Sequence, residues 1–218
     1  MDQYWSVTQQ LLTGFGENCL LFGVTLLFAL PLGLLISLGS MSRFKPLSAL
    51  TRAVVWAVRG TPLMLQLLVI YFGPYYIFGI SISMSYQFYA VIIAFAINYS
   101  AYFAEIYRGG IESIPKGQYE AAEVLGYTKF QTFMRIILPQ VIKIIMPSVT
   151  NEVITLVKDT ALARALSVIE IIAIAYEKVN KYAVLTPLLY AGLFYLAFSG
   201  LLTLLFHLLE KKLSYYTV

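Results

Sequence analysis

The sequence predicts an all-α integral membrane protein with about five transmembrane helices. Only 12% of its 218 residues are charged and 60% are hydrophobic, whereas soluble globular domains carry roughly 25% charged residues. Three stretches, 18–42, 60–104 and 182–209, contain no Asp, Glu, Lys or Arg. A soluble core of this length could not bury so much apolar surface, so lipid is the expected solvent.

The individual spans follow from the length that a bilayer requires, which is about 20 mostly apolar residues. The first and third charge-free stretches each hold one span, and the second is long enough for two. A further apolar segment is interrupted by Glu152, Lys158, Asp159, Arg164 and Glu170. We therefore predict a single transmembrane domain, 1–218, with spans at 19–40, 53–76, 86–106, 146–172 and 184–208.

The distribution of basic residues predicts the orientation of the chain. They follow the first, third and last spans, at Arg43, Lys45, Arg52, Arg108, Lys116, Lys129, Arg135, Lys143, Lys211 and Lys212. Because Lys and Arg are enriched in cytoplasmic loops, we expect these segments in the cytoplasm, with the N-terminus outside and the C-terminus inside. A nucleic-acid-binding protein would cluster its basic residues on one soluble face, so nucleic acid is not an expected partner.

The residue types also argue against an enzyme or a metalloprotein. Cys19 and His207 are the only cysteine and histidine, so we expect neither an internal disulfide nor a Cys/His metal site. The chain has no phosphate-binding G-x-x-x-x-G-K-[ST] loop and none of the common hydrolase motifs. We predict a transport protein that is not itself an ATPase and holds no cofactor.

The longest predicted cytoplasmic loop, 115–140, is unusually polar for this chain. Glu120 begins a short predicted helix, Gly126 interrupts it, Thr128 is a predicted N-cap of a second helix, and Pro139 is expected to end that helix. Apolar residues recur at helical spacing in the second helix, at Phe130, Phe133, Met134 and Ile137. Periodicity alone favours an amphipathic connector that lies on the membrane or in a groove of another protein.

The same loop carries an ordered motif. Its pattern is Glu-Ala-Ala, three residues, Gly, nine residues, Ile, one residue and Leu-Pro. The residues that match this pattern are Glu120, Ala121, Ala122, Gly126, Ile136, Leu138 and Pro139. The motif resembles the EAA loop of the membrane subunits of bacterial ATP-binding-cassette (ABC) importers. Three segments of the chain are similar to polar amino-acid permeases of that group, and the similarity covers 59–166. They are VRGTPLMLQLLVIYFG, AINYSAYFAEIYRGGIESIPKGQYEAAEVLGY and SVTNEVITLVKDTAL.

The resemblance implies a set of partners in the bacterial cytoplasmic membrane. Two permease subunits would pair, as a homodimer or a heterodimer, and two cytoplasmic ATPases would bind ATP and magnesium beneath them. An external amino-acid-binding protein would deliver the substrate. The EAA loop would couple to the ATPase, with Glu120 pairing with an ATPase arginine. Small side chains at Ala121 and Ala122 would let the partner approach closely, and Gly126 would supply the break between the helices.

Polar residues inside the fourth predicted span form a stripe. At 100° per residue, with Thr155 at zero, Asn151, Glu152, Lys158 and Asp159 lie within a face about 120° wide, and Arg164 lies opposite, with no role assigned. Ionisable groups inside a span are costly and suggest function. The stripe is either a self-neutralising network that fixes helix packing or one wall of a polar cavity for a zwitterion.

The second and third spans offer facing groups. Asn98, Tyr102 and Glu105 recur at one-turn spacing, and we expect Glu105 to pair with Arg108. Asn98 and Tyr102 suit a polar ligand or an interhelical hydrogen bond.

The sequence Arg-Gly-Thr-Pro at 59–62 breaks the second predicted span. Thr61 could cap a renewed helix that begins at Pro62, leaving N–H groups for a carboxylate, and Gln66 could add an amide. Alternatively, Pro62 only kinks the span.

Taken together, the residues and the resemblance predict a substrate site at Gln66, Asn98, Tyr102, Glu152, Thr155, Lys158 and Asp159. In some permeases of this family the membrane subunit holds the substrate near the positions of several of these residues. Because two carboxylates outnumber the one cation, Lys158, the stripe favours a cationic substrate such as arginine, lysine or histidine. Glutamine and cystine remain alternative substrates. An ion-coupled secondary transporter is the alternative, but it gives the 120–139 motif no role.

Overall fold

The computed structural model describes residues 2–213, and nearly all of them are helical. The elements are α1 (Asp2–Ser40), α2 (Lys45–Arg59), α3 (Leu63–Phe78), α4 (Tyr86–Glu112), α5 (Lys116–Val124), α6 (Lys129–Thr132), a π-helical turn (Phe133–Ile137), α7 (Leu138–Asp159), a 3₁₀ segment (Thr160–Leu166), α8 (Ile171–Tyr182) and α9 (Thr186–Leu213). The all-α membrane fold predicted from composition is confirmed.

Four helical stretches are long and apolar enough to cross a membrane, and α2 with α3 forms a fifth, bent by 106°. The bend lies at 60–62, where the sequence predicted a break. Helix α1 begins well before the predicted first span, 19–40, because it is one continuous helix of 39 residues. At 1.5 Å per residue it is roughly 58 Å long, about twice the thickness of the bilayer core.

Helix α4 lies at the centre of the bundle. It packs against α1, α2, α3 and α7, and its buried side chains include Phe95, Tyr99 and Phe103. The Phe95 and Tyr99 rings stack with their centroids 6.3 Å apart. A second apolar cluster joins the N-terminal half of α1 to α8 and α9. The interior is therefore built around α4, which brings its polar face against α7 and the α2–α3 corner.

Gly33 allows α1 and α4 to pack closely. A Cβ atom at this position would lie 2.8 Å from the Cβ of Phe103 and 3.0 Å from the carbonyl oxygen of Ser100. Neither atom can move without shifting the backbone of α4. The absent side chain is therefore a packing requirement of the fold.

We expect Gly33→Val to destabilise the protein by about 1–3 kcal/mol, because a side chain forced into a close-packed interface separates the helices. Thermal unfolding of the purified protein in detergent measures the effect. Gly23→Val on the same helix is the matched control, since nothing lies within 4 Å of a Cβ at Gly23. Equal unfolding midpoints for the two variants would contradict this account of the interface.

The helical stretch that contains the predicted fourth span, 146–172, ends at Leu166. The reason is Glu170, which is fully buried and caps a separate helix, α8. Its carboxylate accepts hydrogen bonds from the backbone N–H groups of Ile172, at 2.8 Å, and Ala173, at 2.7 Å. Asn18 of α1 donates to the Thr160 hydroxyl at 2.9 Å and accepts from the N–H of Ile171 at 3.1 Å. Glu170 thus belongs to a buried polar network and not to a span.

Pro139 does not end the second helix of the 115–140 loop, and that prediction was wrong. The helix continues through the π-helical turn into α7, in whose first turn Pro139 lies. Pro139 has no N–H, so one carbonyl of the preceding turn lacks its usual helical donor. The π-helical turn before it absorbs the irregularity.

Candidate functional site

A cavity of about 520 Å³ lies between α4, α7 and the α2–α3 corner. The corner contributes residues 59–63, α4 contributes Asn98, Tyr99 and Tyr102, and α7 contributes Glu152, Thr155 and Asp159. Three separate elements of the membrane bundle therefore converge on one polar space. Its volume falls within the roughly 300–1,000 Å³ that is usual for small-molecule sites.

The α7 wall of the cavity is acidic. Glu152, Thr155 and Asp159 succeed one another at three- and four-residue spacing, so they share one helical face. The phenol of Tyr99, which is 2% exposed, donates a hydrogen bond to Asp159 Oδ2 at 2.8 Å. This bond fixes the Asp159 side chain against α4 while a face of the carboxylate stays at the cavity.

Arg59 supplies the opposite charge. Among the described residues that line the cavity, it is the one cation. Its guanidinium carbon lies 5.2 Å from the centroid of the Tyr102 ring, and Nη1 lies 3.8 Å from Glu105 Oε1. The cavity thus combines two carboxylates with one guanidinium, which is the arrangement that complements a zwitterion carrying an additional positive charge.

The sequence pattern did not identify Arg59 as a site residue, because Arg59 lies in the Arg-Gly-Thr-Pro segment that predicts a helix break. The available signal was an arginine next to a helix break within an otherwise charge-free span, where a charge suggests function.

The cavity contains most but not all of the predicted site residues. Asn98, Tyr102, Glu152, Thr155 and Asp159 line it. Lys158 is exposed and is not among the residues that line the cavity. Gln66 lines a neighbouring apolar groove instead. Arg59, and not Lys158, is therefore the basic residue on the lining of this cavity.

The predicted Glu105–Arg108 pair is confirmed. The Arg108 guanidinium donates to both carboxylate oxygens of Glu105, with Nε 3.2 Å from Oε2. Within residues 2–213 no group of three or more His, Cys, Asp or Glu side chains could hold a metal ion.

The EAA loop forms a tight knuckle after α5. Tyr127 N–H donates to the backbone carbonyl of Ala122 at 3.0 Å, and Gly126 N–H donates to the backbone carbonyl of Glu123 at 2.9 Å. These two bonds define a Schellman motif, and Gly126 adopts the left-handed conformation that it requires, with φ of +78°. The predicted break at Gly126 is therefore confirmed as a specific backbone structure.

The side chains of the knuckle point in different directions. Glu120 and Ala121 are exposed, whereas Ala122 is 1% exposed and packs inside this chain. Close approach by a partner can thus explain a small residue at Ala121 but not at Ala122. Val124 and Leu125 are 88% and 73% exposed, which leaves an apolar tip beside Gly126.

The second part of the loop begins as predicted. Thr128 and Gln131 form a reciprocal capping box at the start of α6. Leu138 and Pro139 are half-buried where the π-helical turn meets α7. A groove of about 360 Å³ runs beside the loop, lined by Tyr119, Glu123 and Tyr127 together with Arg43 from the α1–α2 connection. Burial raises the pKa of the Tyr119 phenol, so this group stays a neutral hydrogen-bond donor.

The fold and these sites define a membrane permease subunit. A family model described as the inner membrane component of binding-protein-dependent transport systems matches residues 29–215, so the chain belongs to that family. The arginine transport system permease protein ArtQ of Bacillus subtilis (strain 168) is 36% identical to it, over 94% of this chain and 92% of that protein.

Two further relatives agree with this assignment. The putative glutamine transport system permease protein GlnP of Rickettsia conorii (strain ATCC VR-613 / Malish 7) is 35% identical, over 87% of this chain and 86% of that protein. A crystal structure of an amino acid ABC transporter with histidines has a TM-score of 0.87 and 32% identity, over 96% of this chain and 97% of that chain. The resemblance inferred from the EAA loop is confirmed.

Proposed function

We propose that this chain is the transmembrane subunit of an ATP-driven importer that carries polar amino acids across the bacterial cytoplasmic membrane by alternating access. The N-terminus lies outside and the C-terminus lies in the cytoplasm, as the basic loops indicate. The family match supports this function over the ion-coupled alternative, because it is to binding-protein-dependent systems. ATP and magnesium belong to the partner ATPase, and this chain supplies the pathway.

The cavity between Arg59 and the α7 carboxylates carries the proposal. Charged groups inside a membrane bundle are costly unless they serve transport or pair with one another. Here Glu152 and Asp159 face a space large enough for an amino acid, with Arg59 on the same lining. We assign the α-carboxylate of the substrate to Arg59 and its positive groups to Glu152 and Asp159. Asn98, Tyr102 and Thr155 supply polar contacts to the same cavity.

The excess of carboxylates favours a cationic substrate. With two acidic side chains and one basic side chain on the lining, the cavity is neutralised by an amino acid of net positive charge. Arginine, lysine and histidine are therefore the first candidates, and the similarity to an arginine permease supports the same choice. The similarity to a glutamine permease makes glutamine the comparison substrate.

A second permease subunit covers part of α7. Asn151, Thr155 and Lys158 are all exposed on one edge of this helix, and lipid is a poor neighbour for an amide, a hydroxyl and an ammonium group. A second copy of this chain or a related permease would enclose that edge around an aqueous pathway. The pair would receive substrate from an external binding protein.

The EAA loop is the proposed contact with the ATPase. Its exposed tip, Val124 and Leu125, can enter an apolar cleft, and exposed Glu120 can pair with an arginine of the partner. Helix α7 continues from the loop without interruption to Asp159. A movement of the loop is thus transmitted directly to the acidic wall of the cavity.

Labelled arginine import into proteoliposomes tests the cavity. The complex would contain the permease, its ATPase and the binding protein, energised with internal ATP. We expect Asp159→Asn and Asn98→Ala to lower import by about tenfold or more, which corresponds to about 1.4 kcal/mol of lost binding. Wild-type rates in both variants would eliminate the proposed site.

A further inference from the structure

The side-chain amide of Gln66 is fully engaged at the corner between α2 and α3. The corner consists of Gly60, Thr61 and Pro62, and the two helices meet there at 106°. Gln66 lies one turn into α3, and its Nε2 reaches back across the corner. Its two N–H groups are shared among three acceptors, namely the carbonyl oxygen of Val58 at 2.7 Å, the carbonyl oxygen of Thr61 at 3.1 Å and the hydroxyl of Thr61 at 2.9 Å.

The carbonyl of Val58 needs a donor because of Pro62. In a continuous helix the carbonyl of Val58 would accept from the N–H of residue 62, and proline has no N–H. Thr61 compensates in part, since its hydroxyl lies 3.0 Å from the carbonyl oxygen of Ala57 and 3.3 Å from that of Val58. Gln66 thus supplies the hydrogen bond that Pro62 cannot make.

The other end of the same amide holds α4. Gln66 Oε1 accepts a hydrogen bond from Asn98 Nδ2 at 3.0 Å. Asn98 is 5% exposed and lines the cavity described above. The three backbone and hydroxyl acceptors require a donor, so they also fix which end of the Gln66 amide is the nitrogen. One side chain therefore links the corner that carries Arg59 to the helix that carries Asn98.

We infer that Gln66 is a positioning residue for transport, which fixes the α2–α3 corner and the Asn98 amide relative to each other. It does not itself contact the substrate, since it faces the apolar groove formed with Leu65, Val69 and Ile97. This inference rests on the proposed function in one respect, because the cavity must hold the substrate for the positioning to affect transport.

Gln66→Glu is the sharpest test. The change nearly preserves shape but removes both N–H donors and places a carboxylate against the carbonyls of Val58 and Thr61. Amide hydrogen exchange of residues 60–66 in the purified permease–ATPase complex, without substrate, should become about tenfold faster. The KM for arginine import should rise by about tenfold with little change in the maximal rate per assembled complex.

The matched control is Gln87→Glu. The Gln87 amide makes only long contacts, 3.5 Å to the Tyr71 hydroxyl and 3.9 Å to the Met84 sulfur, and it lies roughly 16 Å along α4 from Asn98. We expect wild-type exchange at 60–66 and wild-type KM in this variant. If Gln66→Glu does not assemble, Thr61→Val removes the hydroxyl that accepts from Gln66 and donates to the carbonyls of Ala57 and Val58. The bonds from Gln66 to the two backbone carbonyls remain, so we expect a smaller increase in both quantities.

The outcomes separate positioning from its alternatives. Unchanged exchange at 60–66 would overturn the structural link, and faster exchange with unchanged KM would overturn its role in transport. A lower KM for arginine would mean that residue 66 touches the substrate, because an added carboxylate would then attract the cation. Wild-type import in Asp159→Asn would remove the proposed cavity but would leave the exchange result standing.

Discussion

Replacement of Gly126 by valine is expected to abolish coupling between ATP hydrolysis and import. Gly126 has a φ of +78°, a conformation that costs an L-residue roughly 1–2 kcal/mol and is especially unfavourable for a β-branched one. The Schellman bonds around it would break, and the exposed tip formed by Val124 and Leu125 would be displaced. We expect import to fall below about a tenth of the wild-type rate, because a misplaced contact loses most of its binding energy.

Two variants control for this prediction. Gly126→Asn should retain import, since asparagine tolerates the left-handed conformation. Gly117→Ala in α5 should be neutral, because nothing lies within 4 Å of a Cβ there. ATP hydrolysis and co-purification of the ATPase distinguish lost coupling from lost assembly. Full import by the valine variant, with normal hydrolysis, would refute the coupling role of the knuckle.

Replacement of Arg59 by glutamine is the second change with a large expected effect. Arg59 is the cation of the cavity lining, and a hydrogen bond to a charged group contributes about 1.5–3 kcal/mol. Losing it should raise the KM for arginine import by about tenfold to a hundredfold. The proposed partner of Arg59 is the α-carboxylate, which all amino acids share, so glutamine and lysine should be affected to a similar degree if they are substrates.

Lys158→Gln is the matched control for Arg59. It removes a basic residue from the exposed edge of α7 rather than from the cavity lining. We expect its effect on KM to be much smaller than that of Arg59→Gln. The reverse order, with Lys158→Gln as the severe variant, would show that the substrate lies on the exposed edge of α7.

The helical wheel of α7 shows what the sequence could and could not predict. It correctly placed Glu152, Thr155, Lys158 and Asp159 on one face. Only the edge with Glu152 and Asp159 turns toward the cavity, and the edge with Asn151 and Lys158 stays exposed. Which edge faces inward depends on how α7 packs against α4, and one helix does not contain that information.

The local sequence predicted where helices break better than it predicted which way individual side chains point. Gly126, Thr128 and the 60–62 corner were identified correctly because glycine, capping hydroxyls and proline act within one turn. Gln66 was expected to face a ligand, whereas its donor reaches back to Val58. That contact crosses the corner at which α3 bends by 106° away from α2, and the local sequence pattern does not give this angle. The prediction that Pro139 ends a helix was wrong because a π-helical turn directly before Pro139 lets the helix continue.

Equilibrium binding of labelled arginine to the purified permease–ATPase complex, without the external binding protein, tests the cavity most directly. We predict saturable binding of one arginine per permease chain, competed by lysine or histidine and lost in Asp159→Asn. Binding that is absent from the wild-type complex, or that is unchanged in Asp159→Asn, would contradict the assignment of the cavity between Arg59 and Asp159 as the substrate site.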